Sequence, residues 1–262
     1  METYLDRIVA AHRDVAAGDD RSLDALVRTA RLAAPARGFR DALVASAPDG
    51  MAVISEIKRR SPSRGDLNAG LDPAVLAATY ERGGASCLSV LTDVDHFGGS
   101  VGDLQAARAA TALPVLRKDF TVSERDVCDA RLMGADCVLL IVAALSDGEL
   151  AAFHRLANEI GLDVLVEIHD ERELERAMRV DATLVGVNQR DLVTFQVDHE
   201  RALRMAGVIP RGVVRVAESG VRGPTDAAAL ADAGYDAVLV GETLVTAADP
   251  AAAVRALRQR GA

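Results

Sequence analysis

The 262-residue chain contains no tryptophan, and aromatic residues make up only 3% of it. Half of the residues are hydrophobic, so the core must be assembled from Ala, Val, Leu and Ile. That mixture suits buried parallel strands covered by Ala/Leu-rich helices. There are only three cysteines, Cys87, Cys128 and Cys137, an odd set without C-x-x-C spacing. This excludes a disulfide framework and a cysteine-based zinc site. Cys87 and Cys137 fall inside apolar runs and read as small core residues in a reducing cytoplasm. No apolar run reaches the roughly 20 residues of a membrane span. The N-terminus METYLDRIVAAHRDVAAGDD carries several acids and no signal-peptide core, so the expected location is cytoplasmic, with no membrane partner.

Positive charge is in deficit, with a formal net charge of −9, which disfavours nucleic acid as a partner. Against that background the KRR run at Lys58 to Arg60 and the RK pair at Arg117 and Lys118 are informative. Several motifs are missing too. There is no P-loop, EF-hand or H-x-x-x-H. His12, His154 and His199 lie on predicted helices and read as surface residues. His96 and His169 follow predicted strands without metal-like spacing, and Asp93 and Asp95 read as solvated loop residues. No metal ligand set is therefore assigned.

Residues 1–50 hold helical periodicity (Leu5, Ile8, Val9, then Leu23, Leu26, Val27) and end at the turn-like APDG. They predict two or three helices that precede the main body and pack on it. From residue 51 to 262 the pattern changes. Eight short apolar runs, at 52–58, 85–92, 113–118, 136–143, 162–168, 182–188, 212–219 and 236–242, alternate with helical stretches. Asp72-Pro73, SERD from Ser123 and SDGE from Ser146 supply helix starts, and GGA, MGAD and AGYD supply stops. Repeated strand–helix units predict a parallel sheet, and eight of them match a closed (β/α)8 barrel. The alternative is an open doubly wound sheet. It usually has fewer strands, and its dinucleotide-binding form needs a G-x-G-x-x-G turn, which does not follow Lys58. The chain is expected to form one structural domain overall.

A barrel places its chemistry at the C-terminal ends of its strands. Those ends read Glu56 and Lys58, Leu91, Lys118, Leu139 and Leu140, Glu167, Asn188 with Arg190, Glu218-Ser219-Gly220 and Gly241-Glu242. Glu56 and Lys58 are two apart, so on a strand both face the same way. Taken alone, such a pair is an ordinary solvated salt bridge. With Lys118, Glu167 and Glu218 at equivalent positions on other strands, the mixed signs point to acid–base work. Gly220 and Gly241 end the last two strands, where backbone N–H groups of barrels commonly hold phosphate. Each glycine alone reads equally well as a strand terminator.

These residues also carry a family resemblance. ISEIKRRSPSRG, LSVLTD with HFGGS (88–100), PVLRKDF (114–120), ADCVLLIVAAL, VLVEIHDERELERA, VGVNQRDL, VAESGV and AVLVGETLV follow one another between residues 53 and 245. In this the chain resembles the indole-3-glycerol phosphate synthases. The family's activity would make it a carboxy-lyase of tryptophan biosynthesis. It would convert 1-(2-carboxyphenylamino)-1-deoxyribulose 5-phosphate to indole-3-glycerol phosphate, releasing CO₂ and water, without cofactor or metal. The partner implied is a phosphorylated small molecule, and the oligomeric state implied is a monomer or weak dimer.

The resemblance also implies roles. Lys118 matches the general acid that protonates the carbonyl as the ring closes. Lys58 matches the lysine that holds the substrate's carboxylate and phosphate. Glu167 matches the carboxylate that handles protons in dehydration, and Glu56 the acid that orients the lysines. Asn188 and Glu218 match residues that bind substrate hydroxyls, while Ser61 and Arg190 match anchoring positions. Gly220, Gly241 and Glu242 match the phosphate-binding backbone, with Ser219 adjoining it. Leu91, Phe97, Phe120, Leu139 and Leu192 match the apolar pocket around the anthranilate ring.

Two positions depart from many members. Glu242 stands where some carry Ser, so its backbone N–H is expected to help and its carboxylate to turn outward. Gln189 replaces a smaller residue, with little consequence expected. Arg59, Arg60 and Arg64 read as solvated loop charges that attract an anionic substrate. A non-catalytic phospho-ligand barrel and a phosphoribosyl isomerase barrel stay open as other readings. Neither accounts for the full set of lysines and glutamates.

Overall fold

The computed structural model describes residues 3–46, 49–62, 64–191 and 196–259. Three helices come first: α1 (Tyr4–Ala17), α2 (Leu23–Arg31) and α3 (Phe39–Ser46). Strand β1 (Ala52–Ile57) opens the barrel and is followed by a small antiparallel pair, β2 (Arg60–Ser61) with β3 (Gly65–Asp66). Helix α4 (Pro73–Gly83) leads to β4 (Cys87–Leu91), the short α5 (Val94–Phe97) and α6 (Val101–Ala110). Then come β5 (Val115–Lys118), α7 (Glu124–Leu132), β6 (Cys137–Ile141), α8 (Asp147–Glu159), β7 (Asp163–Ile168), α9 (Glu171–Met178), β8 (Leu184–Asn188) and α10 (Arg201–Ala206). The chain finishes with β9 (Val214–Glu218), α11 (Pro224–Asp232), β10 (Ala237–Val240), α12 (Glu242–Val245) and α13 (Pro250–Arg258).

Eight of these strands pair in parallel and close in the order β1-β10-β9-β8-β7-β6-β5-β4. This is the (β/α)8 barrel that the alternation predicts. The local signals act where they were placed. Asp72 caps α4 ahead of Pro73, and Ser123 and Ser146 form capping boxes with Asp126 and Glu149. Gly84, Gly134 and Gly234 take positive φ just before β4, β6 and β10.

Side-chain parity divides the core in two. Ala52, Ile54, Cys87, Leu116, Cys137, Leu139, Leu165, Leu184, Val216 and Leu239 fill the barrel interior. Val53, Leu88, Val90, Val115, Val138, Leu140, Val166, Val185, Ala217 and Val238 face the helices. Phe39 and Leu43 of α3 are fully buried and belong to the interior cluster. All three cysteines are buried and free. Helix α1 lies elsewhere. Its Arg13 bonds Glu149 and the Ala144 carbonyl beyond the end of β6, and Arg21, just ahead of α2, pairs with Asp129 of α7. Among the described residues, no helix is long and apolar enough to cross a membrane.

Candidate active site

Parity also decides which strand-end residues meet. Following the inward positions of the strands to their C-terminal ends reaches Glu56 and, one step further, Lys58, then Leu91, Lys118, Ile141, Glu167, Asn188, Glu218 and Gly241. All of them line one cavity of about 390 Å³. Ser61, Phe97, Phe120, Leu139, Arg190, Ser219, Gly220 and Glu242 line it as well. Leu192, the remaining apolar candidate, lies outside the described residues.

At the centre stands Lys118. Its Nζ is 3.2 Å from Glu167 Oε2 and 3.7 Å from Glu218 Oε2. Asn188 Nδ2 donates to Glu167 Oε1 at 3.0 Å. Both glutamates are almost wholly removed from solvent. Burial alone disfavours the Lys118 cation, but Glu167, Glu218 and Glu56 outweigh it and raise its pKa. Burial likewise opposes ionisation of Glu167, yet Lys118, His169 and the Asn188 hydrogen bond hold it below the ordinary carboxylate value. Glu218 goes the other way. Burial, then the charge of Glu167, push it up to about 8 against the pull of Lys118. One lysine therefore stabilises one carboxylate, and the second carboxyl keeps its proton at neutral pH. Lys58 makes a separate pair, with Nζ 2.6 Å from Glu56 Oε1.

Two glycines make room for these carboxylates. A Cβ on Gly186 of β8 would overlap Glu218 Oε1, and one on Gly241 would overlap Glu56 Oε1. Position alone marks Gly241 in the sequence; Gly186 carries no such signal, because its purpose shows only in the neighbouring strand. Beyond β9, Ser219 and Gly220 both take left-handed backbone, with φ of 65° and 74°. Ser219 is a strained choice for that conformation. Gln189, buried at the exit of β8, holds the turn by donating its Nε2–H to the Ser219 carbonyl at 2.7 Å. That is a larger part than little consequence allows.

The basic clusters split by direction. Lys58 and Lys118 enter the cavity. Arg117 points outward and is buried among Thr92, Asp119 and the Asp126 carbonyl. Arg59 pairs with Asp103 and is mostly buried, not a solvated charge. Arg60 bonds the Val94 carbonyl at 3.0 Å. Arg64 Nε lies 3.1 Å from Glu242 Oε1, so both reach the cavity wall as an ion pair while staying partly exposed.

Helix α1 covers part of the mouth with Tyr4, Leu5 and Ile8. His12 is not a plain surface residue. Its Nε2 lies 3.0 Å from Asp93 Oδ2, an oxygen that His96 Nδ1 also approaches, at 3.1 Å. Asp93 in turn is a buried helix cap on α5, not a solvated loop acid. The hydrogen bond to Asp93 raises the pKa of His12. Burial opposes ionisation of Asp93, but the bonds from His12 and His96 hold its carboxylate far below the usual range. Ligand atoms of His12, Asp93 and Asp119 fall within 4.8 Å of one another, a grouping invisible to local spacing. Their hydrogen bonds already satisfy them. His199 lies on the turn before α10, exposed, with its ring at the cavity wall.

A mouth with paired lysines and glutamates beside two glycine turns narrows the field, and comparison with known proteins decides it. A family profile described as indole-3-glycerol phosphate synthase matches residues 5–257. The chain belongs to the indole-3-glycerol phosphate synthase family. An indole-3-glycerol phosphate synthase of Streptomyces griseus is 51% identical over 99% of this chain and 96% of its own length. Indole-3-glycerol phosphate synthase 1 of Streptomyces coelicolor is also 51% identical, over the same shares. One from a Parafrankia species is 54% identical, over 80% of this chain and 79% of its own. Among solved structures, thiamine phosphate pyrophosphorylase from Pyrococcus furiosus aligns with a TM-score of 0.59 at 16% identity. It covers 80% of this chain and 94% of its own. That likeness is one of fold alone.

Proposed function

We propose that the chain is an indole-3-glycerol phosphate synthase of tryptophan biosynthesis. It closes the indole ring of 1-(2-carboxyphenylamino)-1-deoxyribulose 5-phosphate with loss of CO₂ and water. The observation that carries the assignment of roles is Lys118 held between Glu167 and Glu218, both buried, at the floor of the cavity. Ring closure drives a ring carbon onto the substrate ketone, and the developing alkoxide needs a proton. Lys118 is kept cationic by its carboxylate neighbours and supplies it. Loss of CO₂ then restores electrons to the ring. Departure of the hydroxyl needs a proton on oxygen and removal of one from the ring system. Glu167, held ionised, is the base for that step, and Glu218, carrying a proton, faces the same centre.

Lys58, oriented by Glu56, anchors the substrate carboxylate, while Asn188 and Arg190 bind hydroxyl and anionic groups. The backbone at Gly220, Gly241 and Glu242 takes the phosphate, with Ser61 and Ser219 beside it. Leu91, Phe97, Phe120 and Leu139 face the anthranilate ring. Support for this reading comes from the shared cavity and from the relatives' names. The test is direct. Purified protein mixed with the ribulose-phosphate substrate is expected to develop indole fluorescence. Folded, concentrated protein that yields none overturns the reading.

A further inference from the structure

One imidazole next to the cavity has no place in that scheme. His169 follows β7 directly, two residues after Glu167. Its backbone N–H donates to Glu173 Oε2 at 2.7 Å, and its ring Nδ1 lies 3.0 Å from the same oxygen. An ionised carboxylate only accepts, so Nδ1 carries a proton. The other nitrogen, Nε2, is buried, finds no hydrogen-bond partner among the described residues and lies 3.9 Å from Glu167 Oε1. In a neutral ring Nε2 would present a lone pair to a carboxylate. In the imidazolium it presents N–H, so the arrangement favours the cation.

We propose that His169 is a positioning residue that acts through Glu167. With Glu173 behind it, its imidazolium keeps Glu167 ionised and aimed at Lys118. The proposal rests on the role given to Glu167 in the synthase reading. The groups that face His169 are Glu167 on β7, Glu173 on α9 and Arg201 on α10. Burial and Arg201 oppose its cation, and the Glu173 hydrogen bond with the charges of Glu167 and Glu173 outweighs them, raising its pKa. Glu167 already takes Lys118 on Oε2 and Asn188 on Oε1. His169 adds a second cation, on the side away from Lys118.

A purely structural His169 would only tie Glu173 to the start of α9, which Asp170 caps, and affect only stability. The pH dependence of kcat separates the two roles. His169→Gln removes the cation and lets Glu167 take up a proton more readily, so the acid limb is expected to move to higher pH. The loss should be roughly tenfold near pH 5.5 and small at the optimum, in line with one opposite charge at ion-pair range. Glu173→Gln leaves the imidazole in place and should shift the limb the same way by less. A uniform fall in kcat with an unmoved limb overturns the proposal. An NMR titration of the His169 ring nitrogens decides it without turnover. Its midpoint should fall in Glu167→Gln, and an unchanged midpoint also overturns the proposal, whether or not His169→Gln folds. If the wild-type chain shows no turnover, the synthase reading fails by itself, and the titration still tests the His169–Glu167 pairing.

Discussion

Lys118 Nζ sits 3.2 Å from Glu167 Oε2 although the two residues are 49 positions apart on strands β5 and β7. The barrel makes this meeting unavoidable. Each is the last inward-facing residue of its strand, above Leu116 and Leu165. Removing Lys118 should therefore disable chemistry more than binding. Lys118→Met is expected to lower kcat by about 10²–10⁴-fold, the usual worth of a positioned general acid, with a much smaller change in KM. Steady-state kinetics of a variant with an unaltered circular dichroism spectrum check it. A KM effect alone would make Lys118 an anchor and not an acid.

Gly186 carries a prediction that no charged residue does. A Cβ there would overlap Glu218 Oε1, buried where it cannot step aside freely. Gly186→Ala is expected to lose about 1–3 kcal/mol of stability by overpacking. It should also cut kcat by displacing Glu218. Denaturant unfolding together with turnover tests both halves. Wild-type behaviour in both would mean that the carboxylate relaxes without cost.

Much of this site was legible because a strand's period of two is strict. Once the eight runs were aligned, the inward residues and the mouth followed from counting. Three features were hidden for a common reason. Gly186 matters only through a carboxylate on β9, Gln189 only through a carbonyl 30 positions away, and His12 only through Asp93, 81 positions on. Local pattern reports what a residue can do beside its neighbours, and here the neighbours are set by barrel closure. The same limit made Arg59 look solvated, whereas Asp103 of α6 covers it.

Glu218 makes stability depend on pH. Its carboxyl titrates at about 8 in the folded chain against an ordinary 4.5. A group raised in this way contributes stability that is fully present below the unfolded value and is lost as pH rises through the folded one. Glu218→Gln cannot ionise. Its melting temperature should lack the part of the decline between about pH 4.5 and 8 that the wild type owes to this group. At pH 8 the variant should melt a few degrees higher while turning over more slowly. Parallel melting curves for the two proteins across that range would contradict the proton placed on Glu218.

The His12–Asp93 contact ties α1 to the barrel mouth with a window of its own. His12 is raised, so its contribution is complete below its ordinary value of 6.5 and disappears as pH climbs through the raised one. Asp93 is lowered, so its share is present above its ordinary value of 3.8 and lost only in strong acid. His12→Gln is expected to cost on the order of 1 kcal/mol near pH 6, held down by the partial exposure of the ring, and less near pH 9. Thermal melts at the two pH values read the difference. Hydrogen exchange should show faster opening of α1. A cost that does not vary with pH would mean that the imidazole acts by packing alone.

Glu242 places a negative charge beside the turn assigned to phosphate, and Arg64 lies 3.1 Å from it. The pair is partly exposed, so its energy is small and sensitive to salt. Arg64 can serve only one anion well at a time. Glu242→Gln removes the competitor and leaves the backbone N–H groups where they were, so KM for the phosphorylated substrate should fall by about two- to fivefold at low ionic strength. The gain should shrink as salt is added, with kcat nearly unchanged. Arg64→Gln should raise KM, and the double variant should lie between the two singles. Measured affinities for inorganic phosphate are expected to follow the same order. If Glu242→Gln instead weakens phosphate binding at every salt concentration, the carboxylate is holding Arg64 in place for the ligand, and the competition argued from this ion pair is wrong.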